Sequence, residues 1–141
     1  MKITNDQIFA LTRAGIQNIN YAKLAPVDAI SIYRLRRDIV AAQKELDKMR
    51  RAFIEQVFEP ERLALIDTYE MEHKGMTQEE HDAAVREHMP EVQALMVAAG
   101  NEEREVMVKP IAFASWLQLL QDNPWLAGFE ELLQPIINDE I

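Results

Sequence analysis

Cysteine is missing from all 141 residues, which excludes disulfides, thiolate nucleophiles and cysteine-ligated zinc. A chain without thiols suits a reducing cytoplasm. Glycine is scarce as well. Gly15, Gly75, Gly100 and Gly128 stand far apart, so sequence neighbours cannot build a glycine-rich phosphate cradle. The two serines, Ser31 and Ser115, lie outside any G-x-S-x-G context, the turn that exposes a nucleophilic hydroxyl. No apolar run approaches the roughly 20 residues that a bilayer crossing requires. Met1-Lys2-Ile3-Thr4-Asn5-Asp6 turns polar at once and carries no apolar signal segment. The expectation is a soluble intracellular protein that does not enter a membrane.

Positive charge is also in short supply. There are 15 Lys and Arg against 24 Asp and Glu, a formal net charge of −9. That balance argues against direct nucleic-acid binding, which needs a cation surplus against phosphate. The charges are unevenly spread. Residues 1–54 hold ten basic and five acidic side chains, whereas residues 55–141 hold five basic and nineteen acidic. Either the two halves fold against each other and neutralise, or one face stays open for a charged partner.

The length fits one domain over residues 1–141, enough chain to bury a core unaided. Thr4 and Gln7 stand at capping-box spacing, and Ile8, Leu11, Gly15 and Ile19 mark one side of a helix running to about Asn20. Pro26 suits the first turn of a second helix. From there to about residue 58 runs the clearest pattern in the chain. Ile32, Leu35, Ile39, Ala42, Leu46, Met49 and Phe53 recur at alternating intervals of three and four, a heptad seam. Neither glycine nor proline interrupts it. Arg34, Arg37, Lys44, Lys48 and Arg51 form a broad polar face on the same helix. They read as a solvated flank or as a basic stripe for a partner.

Glu59-Pro60 breaks this helix. A third helix follows over 60–73, with Leu63, Ile66 and Met71 inward and Gly75 at its end. Thr77-Gln78-Glu79-Glu80 is a second capping-box pattern. It opens a helix with Val85, Met89, Val92 and Met96 inward, a kink or break expected near His88 because of Pro90, and Gly100 at the close. Val106 and Val108 alternate within 105–111 and suggest a strand. Met1–Thr4 is the natural partner, because a lone strand is unstable. Ser115 and Asn123-Pro124 each open a short helix. The second carries Trp125, Phe129, Leu132 and Ile136, and Pro135 with the acidic tail 138–141 ends it. The fold class is therefore mainly α: a long helix in a hairpin or bundle, with a short two-stranded ribbon joining 1–4 to 105–111.

Chemistry-bearing clusters are sparse. Glu70 and His73 stand three apart, as in di-iron bundles, but such a site needs a second pair and two more carboxylates. His81 and His88 are seven apart, roughly 10 Å along a helix, too far to chelate one ion. The three histidines read best as surface residues. No catalytic, metal or cofactor site is expected, and no enzyme activity. Trp116, Trp125 and Phe129 lie within fourteen residues of one another. They either cap the core or, beside Glu130 and Glu131, anchor a contact.

Met1-Lys2-Ile3-Thr4-Asn5, the segment from Lys23-Leu24-Ala25-Pro26 through Tyr33-Arg34-Leu35, the charged helix with Glu45 and Arg50-Arg51, and the later Val-x-Val stretch share an order. In that order the chain resembles a group of small proteins of unknown function encoded by tailed bacteriophages and prophages. It departs from them where Tyr33-Arg34 lacks an intervening small residue and where Pro60 interrupts the helix. The resemblance implies a bacterial host cytoplasm, or association with a virion, and transfers no catalytic residue. The expected function is non-enzymatic protein–protein interaction or assembly. Its partner is another protein, or a second copy bound through a seam of Ile32, Leu35, Ile39, Leu46, Met49 and Phe53. The alternative is an acidic inhibitor of a host nucleic-acid-binding enzyme, presenting carboxylates in place of phosphates.

Overall fold

The structure, a computed structural model, describes residues 1–138; the acidic end from Asp139 to Ile141 lies outside the described residues. The chain is mainly α-helical. Strand β1 (Lys2–Thr4) leads into α1 (Asn5–Ala14), followed by the long α2 (Pro26–Val57), α3 (Pro60–Glu72) and α4 (Gln78–Ala99). Strands β2 (Glu103–Glu105) and β3 (Ile111–Ala112), helix α5 (Phe113–Asp122) and strand β4 (Ile137–Asn138) complete it. Two compact units result. One comprises Met1–Lys44 and the segment from Glu102 onward, the other Glu45–Asn101. The single domain expected over 1–141 is thus two units, each with its own buried apolar set. Helix α2 contributes residues 26–44 to the first and 45–57 to the second.

In the first unit, local sequence sets the entry. The Thr4 hydroxyl accepts from the Gln7 amide, and the Gln7 side chain accepts from the Thr4 amide, a complete capping box. The helix stops at Ala14 rather than near Asn20. Gly15 there adopts φ 115, a left-handed C-cap that a Cβ would strain, and its amide closes onto Leu11 and Thr12. A single 3₁₀ turn, Ile16–Asn18, replaces the remainder. β1 pairs antiparallel with β2, Ile3 opposite Arg104. The ribbon therefore forms, but its second strand is 103–105 and not 105–111. Glu-Arg-Glu carries no strand signature; the pairing is held across the chain, with the Asn5 amide donating to the Glu102 carbonyl and the Arg104 guanidinium to the Asn5 side chain.

A second pairing joins β3 in parallel to β4; the strand expected over 105–111 touches β3 only at Ile111, and none was expected at Ile137–Asn138. The helix expected after Asn123-Pro124 is instead two 3₁₀ segments, Pro124–Phe129 and Gln134–Ile136. Leu126, Leu133 and Ile136 are its buried residues, whereas Trp125, Phe129 and Leu132 are half-buried. Helix α5 starts at Phe113, two residues before Ser115. Asp28 of α2 fixes that start, accepting from the Ser115 hydroxyl at 2.5 Å and the Ala112 amide at 3.4 Å. Asn123 is buried yet satisfied. It exchanges two hydrogen bonds with the Asn20 backbone and donates to the Leu119 carbonyl, which avoids the penalty of an unpaired buried amide.

The second unit is three helices. Phe58 and Glu59 separate α2 from α3, and Arg51 pairs with Asp67 on either side of that break, folding α3 back along α2. Ile54, Phe58, Leu63, Ile66, Ala84 and Val92 form its core, whereas Met71, expected inward, is exposed. α3 ends at His73, which takes the left-handed conformation at φ 54 itself; the expected Gly75 is not the cap. Thr77 caps α4 by accepting from the Glu80 amide, while the Glu80 carboxylate turns to the Thr77 hydroxyl, so only half of the capping box forms. Gly100 closes α4 in a right-handed conformation. Of the kink or break expected near His88, the break does not occur. Helix α4 runs through Pro90, which is exposed, with Ala84 and Val92 buried on either side. Water can reach the carbonyl that proline leaves unbonded, and the core contacts offset the local cost.

Ile39 and Leu46 are completely shielded from solvent, and Ile32 and Leu35 nearly so. Each such side chain stabilises by about 1.5–3 kcal/mol. Leu46→Asp should therefore cost several kcal/mol, about 3 or more, because it buries an unpaired carboxylate. Denaturant unfolding checks this, and an unchanged midpoint would refute the assignment.

Candidate interaction surface

Each residue of α2 turns the chain by roughly 100°, so the residues half a turn from the buried stripe are fixed in direction once that stripe is buried. Val27, Ile30, Arg34, Arg37, Ala41 and Lys44 lie there, at intervals of three, four, three, four and three, and all six are exposed. α2 thus carries two heptad stripes, one apolar and covered, the other open. The open stripe is apolar at its start and cationic beyond. Val27, Ile30 and Tyr33 are 64%, 50% and 45% exposed, high for aliphatic and aromatic side chains.

The cations along this face are weakly neutralised. Arg37 meets Asp38 at 3.1 Å, with both partners partly exposed; such pairs contribute about 1 kcal/mol or less. Among the described residues no carboxylate pairs with Arg34, Arg36 or Lys44. Arg36 instead lies over two rings, 5.6 Å from the Tyr21 centroid and 5.5 Å from that of Tyr33, a cation–π arrangement that stiffens the side chain. Beside it Gln17, Tyr33, Arg36, Val40 and Lys44 border a shallow open groove.

The structure separates the residues singled out from sequence. Of the seam, Ile32, Leu35, Ile39 and Leu46 are buried within one chain, and Met49 and Phe53 are half-buried. The seam is core, and the expectation that it receives a second copy is corrected. Trp116 is 1% exposed and is core as well. Trp125 is half-buried and packs edge-to-face on Phe129. Glu130 and Glu131 are exposed. Lys48 is exposed, whereas Arg51 is held by Asp67 through two bonds and by Glu55. The Arg51 guanidinium keeps the Asp67 carboxyl below its ordinary range, chiefly through its hydrogen bonds. Sequence reasoning found the cations but missed Val27, Ile30, Tyr33 and Ala41. Reading the heptad on the opposite side of the same helix would have found them.

In the second unit a cleft of about 220 Å³ opens over Ile54, Phe58, Ile66 and Met89. The Arg50 guanidinium at its rim approaches the Met89 sulphur at 3.8 Å. Of the three histidines His73 is exposed, and His81 and His88 are half-buried. His81, 17% exposed, places Nε2 2.9 Å from Glu70 and Nδ1 3.1 Å from Asp82, with its ring 4.8 Å from that of Tyr69. Glu70 thus meets His81 across two helices and not His73, its neighbour on α3. Among the described residues no group of three or more histidines and carboxylates gathers for a metal ion. Among those residues, too, no helix is long and apolar enough to cross a membrane.

The hydrogen bond to Glu70, then that to Asp82, raises the His81 pKa above its ordinary 6.5. A raised folded-state pKa stabilises fully below the unfolded value, and that contribution disappears as pH rises through the folded one. The melting temperature of the wild type should therefore exceed that of His81→Gln by most near about pH 5.5, with the gap shrinking toward about pH 9. Paired thermal melts would test it, and a pH-independent gap would remove the charged clasp. No protein-family model, curated protein or solved structure matches the chain.

Proposed function

We propose that the chain is a non-enzymatic protein–protein interaction or assembly module, phage-encoded and acting in the bacterial host cytoplasm, and that it meets its partner with the outward face of α2. The observation that carries this reading is the exposed stripe from Val27 to Lys44, where an apolar end runs into weakly neutralised cations at heptad spacing. Tyr and Arg are, with Trp, the side chains enriched at binding hot spots, since each offers contact area together with a directed polar group. The phage setting rests on the order of sequence elements alone.

A second reading, the acidic inhibitor of a nucleic-acid-binding enzyme, draws on α4. Glu80, Glu87 and Glu91 recur there at intervals of seven and four, and all three are exposed. It ranks below the first because Arg62 holds Glu87 at 2.9 Å and Thr77 holds Glu80, which reduces the carboxylate surface open to a cationic groove.

Photo-crosslinking in native cells separates the two. A benzophenone side chain at Ile30 or Ala41 should give adducts of one discrete mass, and Arg34→Glu with Arg37→Glu should cut their yield about tenfold, equivalent to about 1.4 kcal/mol of binding. The same probe at Leu65, exposed on α3, should give none. Adducts from Ala83 on α4, without adducts from Ile30, would replace the first reading with the second.

A further inference from the structure

We propose that the occupant of this face is a single acidic amphipathic helix of another protein, laid along α2 in the manner of a coiled coil. The inference rests on the interaction-module reading and names the partner's chemistry. The six positions from Val27 to Lys44 cover about 26 Å of helix. They recur at the three–four spacing that lets one helix follow another with its side chains seated at every turn. A strand rises more than twice as far per residue and would fall out of register within two contacts.

The chemistry along the face is ordered. Val27 and Ile30 form its apolar end, and Arg34, Arg37 and Lys44 its cationic end, with Ala41 leaving room between the cations. The complement is a helix with apolar residues at one end and Asp or Glu at the three–four positions beyond. Desolvating the apolar end supplies affinity, and the charges set register and encounter rate.

A second copy is a poor occupant. In an antiparallel pair the two-fold axis would fall midway between positions 27 and 44, setting Arg34 of each copy against Arg37 of the other. A parallel pair would set every cation against itself. Like-charge contacts of this kind select against self-pairing. A nucleic acid matches the cations but leaves Val27, Ile30 and Tyr33 without an apolar counterpart.

The test uses the full chain and three labelled probes: a helical peptide of about 21 residues with leucines in its first heptad and glutamates at the facing positions thereafter, its lysine-for-glutamate twin, and a duplex DNA of similar length. Fluorescence anisotropy should show saturable binding of the acidic peptide, on the order of ten micromolar in low salt and about tenfold weaker at about 500 mM salt. The lysine twin should bind at least about tenfold more weakly, and so should the acidic peptide to Arg34→Glu with Arg37→Glu or to Ile30→Ser. These sites are exposed, and unchanged circular dichroism confirms that the variants fold. Equal binding of both peptides, no binding up to about 1 mM, or tighter binding of DNA would overturn the proposal. So would sedimentation showing a dimer that the double variant dissolves. If Ile30 crosslinks a partner in cells while the acidic peptide fails, the partner chemistry is wrong and the module stands; if both fail, both fall.

Discussion

Burial of one side of α2 is the constraint on which the rest of the molecule depends. Ile32, Leu35, Ile39 and Leu46 are removed from water, and a helix has no freedom to rotate once such a stripe is fixed. The residues half a turn away then face solvent whatever their chemistry. Charge at Arg34, Arg37 and Lys44 is what solubility asks for there. Val27, Ile30 and Tyr33 are not, and their exposure is what distinguishes this face from an ordinary solvated flank. A lone exposed apolar residue is commonplace, but three in the first two turns of one helix, continuous in register with a row of cations, form an organised surface.

Net charge describes this surface badly. Many of the carboxylates in residues 55–141 have local work. Asp67 and Glu55 hold Arg51, Glu87 holds Arg62, Glu70 and Asp82 hold His81, and Asp122 reaches Lys23. The pairs at Arg51, Arg62 and His81 tie the three helices of the second unit to one another, at positions where the apolar core is small. The cations of residues 26–44 receive little of that neutralisation, apart from Asp38 on Arg37. An acidic protein therefore presents a basic face without contradiction, since local potential at contact distance is set by groups within about a Debye length, roughly 8–10 Å.

Features governed by neighbouring residues were legible in the sequence. The Thr4–Gln7 box, the start of α2 at Pro26 and the restart at Pro60 depend on side chains within three or four positions. The buried stripe was legible because its period is long and uninterrupted. Features fixed by distant partners were not. Glu103–Glu105 and Ile137–Asn138 become strands through pairing with Lys2–Thr4 and Ile111–Ala112, and neither segment carries an alternating apolar pattern of its own. Pro90 overrode local preference because buried residues on either side held the helix, and His73 took the left-handed cap with its amide bonded to the Tyr69 carbonyl. At the candidate surface the cations were legible, and the apolar members Val27 and Ile30 were legible only through the second heptad, on the side of the helix opposite the stronger apolar stripe.

The spacing of α2 carries one more argument for an external acid. Positions 40 and 41 lie three or four residues from both Arg37 and Lys44, within reach of each on the helix surface. A glutamate at either would pair with both cations and close the stripe within its own helix. The residues present are Val40 and Ala41. Valine gives up helix propensity at a half-buried place, and alanine offers no partner at an exposed one. The sequence therefore leaves these charges to whatever approaches from outside. Ala41, the smallest side chain on the face, stands where a facing helix would come closest. A stripe kept only for solubility gains nothing from that vacancy between its cations, whereas a docking face needs it so that opposing side chains can seat between Arg37 and Lys44.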